Sequence, residues 1–211
     1  MKINEIFLSV QGEGQQAGEL TIFIRTSGCN FKCKWCDTQY HINGKEIDVE
    51  EIIHRLESDY PEIKNICLTG GEPLLQPDIE KFLVIATSKN YKVFVETNGS
   101  QPLPLEIDNV FYVLDFKLPS SGMYGKFLLE NLDKDVYEIK FVIENEEDYD
   151  IAHDMAKEIL TNHPKTKVLF SPCFEKKWNT KLAERIVKDK LPVRYSLQIH
   201  KVLWSHKKRG V

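Results

Sequence analysis

Three thiols lie inside eight residues, Cys29-Asn30-Phe31-Lys32-Cys33-Lys34-Trp35-Cys36, a C-x3-C-x2-C spacing. Three thiolates this close can wrap one cubane iron–sulfur cluster and leave its fourth iron without a protein ligand, open to a substrate or cofactor. The competing reading is a closed Cys3His zinc site that takes His41 as its fourth ligand. The chain has five cysteines, an odd number. With three of them clustered, they read as metal or redox ligands in a reducing compartment, not as a secreted disulfide framework. Cys67 and Cys173 are most simply core or strand-end thiols.

A second set of chemically able residues follows short apolar runs along the chain. Thr69-Gly70-Gly71-Glu72-Pro73 comes after Leu68, and Glu96-Thr97-Asn98-Gly99 after Val95. Asp115-Phe116-Lys117 comes after Leu114, Ser171-Pro172 after Phe170, and Gln198-Ile199-His200 near the end. Taken alone, each has a plain structural reading as a turn, a solvated ion or a strand stop. Their recurrence at one topological position carries the argument, because β/α folds place their chemistry in the loops that leave the carboxyl ends of parallel strands.

The elements that would position these residues read as a β/α repeat. An early strand covers Thr21 to Arg25. Val49, Ile52, Ile53, Leu56 and Tyr60 then recur at helical spacing behind a candidate N-cap, Asp48, and predict a helix over about 48 to 59. Strands are expected at Ile66 to Leu68, Val93 to Val95, Val110 to Leu114, Ile139 to Ile143, Val168 to Phe170 and Tyr195 to Ile199. Helices are expected from Asp78, across Tyr149 to Ile159, near 126 to 132 and from about Trp178. Alternation of this kind implies an α/β fold with a mainly parallel sheet, either open and doubly wound or an incomplete barrel, with too few units for eightfold closure.

At 211 residues and 42% hydrophobic, the chain fits one domain, 1–211, with no internal repeat, linker or low-complexity tract. A formal charge of -4 gives no overall pull toward nucleic acid or anionic membrane and favours a small-molecule substrate. Nothing approaches the roughly 18 apolar residues of a membrane span, and the first residues lack a basic, then apolar, leader. A cytoplasmic location is the expectation.

The aromatic Trp35 just before the third cysteine, together with Gly70-Gly71-Glu72-Pro73, resembles the radical S-adenosylmethionine superfamily. That resemblance implies a [4Fe-4S] cluster on Cys29, Cys33 and Cys36, with S-adenosylmethionine chelated at the open iron and its amine met by the Gly71-Glu72 strand end. One electron then cleaves the sulfonium to a 5′-deoxyadenosyl radical. Val10-Gln11-Gly12-Glu13-Gly14, Arg25 four residues before the first cysteine, Cys36-Asp37-Thr38 and the ending Leu203 to Val211 are similar to the 7-carboxy-7-deazaguanine synthase family.

This second resemblance implies a shortened, modified β/α barrel acting as a homodimer on 6-carboxy-5,6,7,8-tetrahydropterin. Hydrogen is taken from carbon 6, the ring contracts, and ammonia leaves to give 7-carboxy-7-deazaguanine, a queuosine precursor. A one-electron reductant such as flavodoxin or ferredoxin is implied, and no side chain is singled out as catalytic. Val10, Gln11 and Gly12 would contact the pterin, Arg25 its carboxylate and Thr69 the substrate, while the Val211 carboxylate would fold back onto the pterin. Thr38 would give one oxygen to Mg2+. Trp35, Cys36, Asp37, Gly71, Asp115, Phe116, Lys117, Ser171, Pro172, Cys173 and Phe174 fall where the family contacts S-adenosylmethionine. Asp115-Phe116-Lys117 departs from the Ser-Pro-Lys of many members, so main-chain contacts there could persist while side-chain hydrogen bonds differ.

Two other readings remain at this point. Small activases that place a radical on a glycine of another protein share C-x3-C-x2-C but have no use for Arg25. A non-catalytic metal-binding module could use Lys207-Lys208-Arg209 on RNA. Gly12-Glu13-Gly14 alone is a weak phosphate-loop match.

Overall fold

A computed structural model of the chain describes residues 1–104, 106–173, 178–204 and 209–210. Its strands are β1 (Lys2–Val10), β2 (Leu20–Thr26), β3 (Lys45–Glu46), β4 (Asn65–Gly70), β5 (Lys92–Thr97), β6 (Val110–Phe116), β7 (Val136–Ile143), β8 (Lys167–Pro172) and β9 (Arg194–Tyr195). Its helices are α1 (Val49–Asp59), α2 (Ile79–Ser88), α3 (Glu146–Asn162), α4 (Asn179–Asp189) and α5 (Ile199–Leu203). The strands form one sheet in the order β3-β1-β2-β4-β5-β6-β7-β8-β9. From β2 onward neighbours are parallel, and β1 runs antiparallel to β2 and β3.

That order decides between the two architectures left open by the sequence. A strand order that never reverses makes every crossover turn the same way, and right-handed crossovers then set the helices on one face. A doubly wound sheet is thereby excluded, and the sheet is an open, incomplete β/α barrel. Alternation along each strand sorts the side chains. Ile22, Ile24, Ile66, Leu68, Val93, Val95, Leu114 and Phe141 pack in the core under the helices. Their neighbours in sequence, Phe23, Arg25, Cys67, Thr69, Phe94, Glu96, Val113, Asp115 and Lys140, belong to the opposite, concave face.

Three expectations need correction. The final strand stops at Tyr195, because the Ile199 N–H donates to the Gly12 carbonyl (2.9 Å) and so turns the chain off the sheet into α5. The segment near 126 to 132 is a 3-10 helix, Leu129–Asp133. β1 was not foreseen, since most of its residues are half-exposed on both faces and it shows little apolar contrast. Asp48 sits at the N-cap of α1, but its side chain makes no capping hydrogen bond.

The loop after β5 is held from a distance. Asn131, 2% exposed, donates to the Gly99 and Gln101 carbonyls (3.1 and 2.9 Å) and accepts from the Leu103 N–H (3.0 Å). Replacing it takes that partner from the buried Leu103 N–H and the half-buried Gln101 carbonyl, while the Gly99 carbonyl keeps its bond from the Leu128 N–H (2.9 Å). Asn131→Ala should therefore cost about 2 to 3 kcal/mol of folding stability, read as a lowered urea midpoint with an unchanged slope.

Candidate active site

The polar row on the concave face is assembled by strand register. Arg25 on β2 lies opposite Thr69 on β4, Glu96 on β5 opposite Val113 on β6, and Asp115 on β6 opposite Lys140 on β7. A register shift between Tyr112 and Val113 against β7 turns Tyr137 and Glu138 to the same side. Tyr137 then packs on Phe94 and Phe111 below the row, and Lys140 reaches Asp115. Three adjoining cavities open above it.

The first cavity, about 120 Å³, is walled by Cys29, Cys33 and Cys36 together with Gly70, Gly71, Asp115, Lys117 and Lys140. The thiols are free, and burial pushes Cys29 upward and Cys33 to about 11, Lys117 opposing the rise at both. His41, the fourth ligand a closed zinc site requires, does not line this cavity. The donor set fits a cubane held by three thiolates. Gly71 must be glycine, since a Cβ there would collide with the Gly28 carbonyl.

Other cofactor-side residues sort by strand face. Asp115 accepts from Lys117 (Nζ–Oδ2 2.7 Å) and sits 3.6 Å from the Lys140 Nζ, while its buried Oδ1 has no partner among the described residues. That orphaned acceptor suits a ligand rich in N–H and O–H donors; the Ser171 Oγ is orphaned as well, but Ser171 lines none of the three cavities. Trp35 Nε1 donates to Ser120 Oγ (3.3 Å), and Lys117 lies 5.0 Å over the indole. Ser120 is fixed in turn by its N–H bond to the buried Asp148 at the start of α3 (3.1 Å). Trp35, Asp37, Asp115 and Cys173 share a smaller cavity, about 70 Å³, continuous with this wall.

Two expected contacts are displaced by packing. Phe116 faces the helices, with its ring 4.9 Å from Phe127 and 5.3 Å from Phe141, because Asp115 before it takes the concave side. The Glu72 carboxylate is wholly buried and accepts from Thr97 Oγ1 (2.7 Å), the Asn98 N–H (2.8 Å) and the Leu74 N–H (3.1 Å). It ties the strand ends of β4 and β5 together instead of facing the cavity, and burial raises its pKa despite those donors. Pro172 ends β8 away from the three cavities. Phe174 and Val211 lie outside the described residues.

The third cavity, about 140 Å³, holds the expected substrate residues Val10, Gln11, Gly12, Arg25 and Thr69, and Arg209 and Gly210 complete its rim. Arg25 Nε donates to Glu5 (2.7 Å), which aims the guanidinium. Glu96 accepts from Thr69 Oγ1 (3.1 Å), Cys67 Sγ (3.3 Å) and Gln11 Nε2 (3.4 Å). Gly12 packs so tightly on His200 that a Cβ would overlap the imidazole. Thr38 donates to Asp37 Oδ1 (3.1 Å), and Asp37 pairs with Lys201 (2.8 Å). Burial opposes the Asp37 charge, but Lys201 holds its pKa below the usual carboxylate range. Thr38, Thr69 and Glu96 line both this cavity and the cysteine cavity, so the two meet there.

Glu96 stood in the strand-end set without an assigned role, and Glu13, Lys140 and Lys201 were missed as site residues. Lys140 is deeply buried and pairs with Glu13 (2.7 Å), whose other oxygen accepts from Gln198 (2.6 Å). Burial works against both charges. Glu13 keeps the lysine protonated, and Lys140 holds the Glu13 pKa well below its ordinary value. Inward alternation at Glu96, Asp115 and Lys140 was the available signal.

An open β/α sheet wound one way, with three thiols at the mouth beside a Gly-Gly strand end, defines a radical SAM enzyme, and residues 23–110 match the Radical SAM superfamily. Over 227 residues the chain is 35% identical to the 7-carboxy-7-deazaguanine synthase of Koribacter versatilis (strain Ellin345), covering 100% of both proteins. The enzyme of the same description from Clostridium acetobutylicum is 36% identical over 222 residues, with 100% of this chain and 99% of that protein covered. The chain belongs to the 7-carboxy-7-deazaguanine synthase family. The crystal structure of QueE from Escherichia coli shares the fold, with a TM-score of 0.78 at 22% identity over 93% of each chain.

Lys140→Met removes the cation from the buried Glu13 carboxylate and leaves it only the Gln198 donor, while Asp115 keeps Lys117; the change should cost about 3 kcal/mol at neutral pH in urea unfolding. A carboxylate with a lowered folded pKa stabilises above its unfolded pKa and loses that contribution as pH falls through the folded value. The parent should therefore lose the Glu13 contribution in acid while the variant sheds its stranded charge. The gap between them should narrow below about pH 4.

Proposed function

We propose that this chain converts 6-carboxy-5,6,7,8-tetrahydropterin to 7-carboxy-7-deazaguanine with loss of ammonia, in 7-deazapurine (queuosine precursor) biosynthesis. The observation that carries the reading is the wall shared by the two cavities. Thr38, Thr69 and Glu96 face the thiols on one side and the Arg25–Gln11 pocket on the other. Cys29, Cys33 and Cys36 hold a [4Fe-4S] cluster, with Trp35, Asp37, Gly71, Asp115 and Lys117 around the S-adenosylmethionine. Bound together, these groups supply a 5′-deoxyadenosyl radical.

The chain's own residues bind and orient. The two Nη groups of Arg25 take the substrate carboxylate as a fork, since Glu5 already occupies Nε. Gln11 and Glu96 accept from the amine and ring N–H edge of the pterin, and Thr69 contacts the substrate beside them. The Asp115 Oδ1 accepts from a hydroxyl or ammonium of the cofactor. Lys140 and Glu13 hold the hairpin loop of β1 and β2 against β7 so that Gly12 stays seated on His200. Thr38 gives one oxygen to Mg2+, which keeps its remaining positions for substrate and water. The working enzyme is a cytoplasmic homodimer of single-domain chains fed by a one-electron carrier such as flavodoxin or ferredoxin.

Anaerobically reconstituted protein given reductant, S-adenosylmethionine and 6-carboxytetrahydropterin should yield 7-carboxy-7-deazaguanine by mass analysis. Cluster loading without that product would refute the substrate assignment. Arg25→Ala should weaken substrate binding by about 1.5 to 3 kcal/mol with iron content unchanged. An unaltered affinity, measured by anaerobic calorimetry, would remove Arg25 from the site.

A further inference from the structure

The cluster loop carries a feature that neither cavity uses. Lys32 and Lys34, between the cysteines, are both exposed, and the loop after β6 brings Lys126 up to join them. The Lys32 N–H and the Lys126 ammonium both approach Met123 Sδ (3.5 and 3.8 Å). The Lys34 N–H donates to the Ser121 carbonyl (3.0 Å), which draws that side chain alongside Gly122. None of the three lysines is ion-paired among the described residues, whereas Lys81, Lys89 and Lys181 elsewhere on the surface are. Three cations are thereby gathered on one loop pair of a chain whose net charge is -4, with Glu144 and Glu147 sharing a cavity with Lys34 at one end of the group. The same connection between β6 and β7 carries two exposed apolar residues, Tyr124 at 49% and Leu129, three residues after Lys126, at 61%.

The patch is also the short way to the thiols. Lys126 Nζ lies 5.7 Å over the Phe31 ring, and Phe31 is itself 7% exposed and walls the cysteine cavity. The Phe31 N–H donates to Cys29 Sγ at 3.4 Å. One buried aromatic residue thus separates the lysine cluster from the first thiol.

We propose that Lys32, Lys34 and Lys126, flanked by Tyr124 and Leu129, form the docking surface for an acidic one-electron carrier protein that delivers its electron to the cluster past Phe31. The inference rests on the functional reading above, in which the cluster needs one external electron per turnover. The carrier is oxidised by one electron, the cluster is reduced by one, and no proton or group transfer accompanies that step. Complementary charge raises the encounter rate and fixes orientation, while the two apolar side chains supply a small desolvated centre. Three charges are few for a polyanion that releases counterions along a backbone, so a carrier protein suits the patch better than a nucleic acid.

The test uses the reconstituted holoenzyme and the variant Lys32→Glu/Lys34→Glu/Lys126→Glu, each driven by two reductants. Photoreduced 5-deazariboflavin is small and needs no docking; a reduced, acidic flavodoxin does. Formation of 5′-deoxyadenosine is followed at about 20 and 200 mM salt, which brackets strong and weak screening. The parent should slow with flavodoxin as salt rises, and the variant should be about tenfold or more slower than the parent at low salt with little salt dependence. Deazariboflavin should drive both proteins equally. A variant that keeps the parent's flavodoxin rate and salt response overturns the docking surface. Equal loss with deazariboflavin also overturns it, because the lysines would then be supporting the cluster loop itself. A parent that loads iron yet cleaves no S-adenosylmethionine with either reductant sinks the catalytic reading, and the docking surface falls with it.

Discussion

The ammonium of Lys140, buried between Glu13 and Asp115, is the contact on which the site's geometry turns. It is placed by β7, but its two partners come from the β1–β2 loop and from β6, so three segments distant in sequence meet at one cation. Desolvating three charged groups is costly, and only their mutual attraction together with the Gln198 and Lys117 hydrogen bonds offsets it. The arrangement therefore tolerates little displacement. Glu13 held to Lys140 fixes the loop carrying Gln11 and Gly12, and Gly12 fixes α5 through the Ile199 N–H and the His200 ring. One wall of the substrate cavity is thus positioned by a residue that lines only the cofactor side.

The sheet makes such a contact available. Because the crossovers all turn one way, helices cover one face and the other is left for side chains that need neither helix packing nor bulk solvent. The helix-side core is almost wholly apolar, and the concave face alternates polar residues with Phe23, Phe94 and Phe111. Stacked rings close the lower part of that face, which confines the polar groups to the carboxyl ends of the strands. The bulge at Tyr137 adds a ring to this floor and carries Glu138 and Lys140 into the same row. A strand without it would point Tyr137 and Glu138 to opposite faces.

Much of this could be read before any coordinates. The thiol spacing, the Gly-Gly-Glu-Pro strand end and the recurring polar residues after apolar runs pointed to the cysteines, Thr69 and Asp115 at strand ends, Arg25 came from the family resemblance, and the mainly parallel sheet followed from the β/α alternation. Other features depend on facts that sequence spacing does not encode. Phe116 and Asp115 are adjacent, so only the facing of β6 tells which one enters the site. Glu72 has the right chemistry for an ammonium, yet two neighbouring N–H groups and the Thr97 hydroxyl claim its oxygens first. β1 has both faces half-wet, and such a strand lacks the apolar contrast that periodicity detects. Lys140 was hidden inside an apolar run, Ile139-Lys140-Phe141-Val142-Ile143, whose alternation in fact points every second residue at the site.

The burial of the thiols completes the electrostatic picture. Burial pushes Cys33 up to about 11 and Cys29 upward, so converting them to the thiolates that hold a cluster works against the burial of the loop. Lys117 is the cation nearest to that change. It is buried, held charged by Asp115, and stacked over Trp35 inside the cysteine motif. A fixed positive charge beside developing thiolates lowers the cost of deprotonation without itself gaining or losing a proton. The same ammonium is shared with Asp115, which leaves one carboxylate oxygen of that residue unsatisfied and turned to a ligand. Asp115 thus sits between two ammonium groups, Lys117 at 2.7 Å and Lys140 at 3.6 Å, and the second of these is supplied by the neighbouring strand β7.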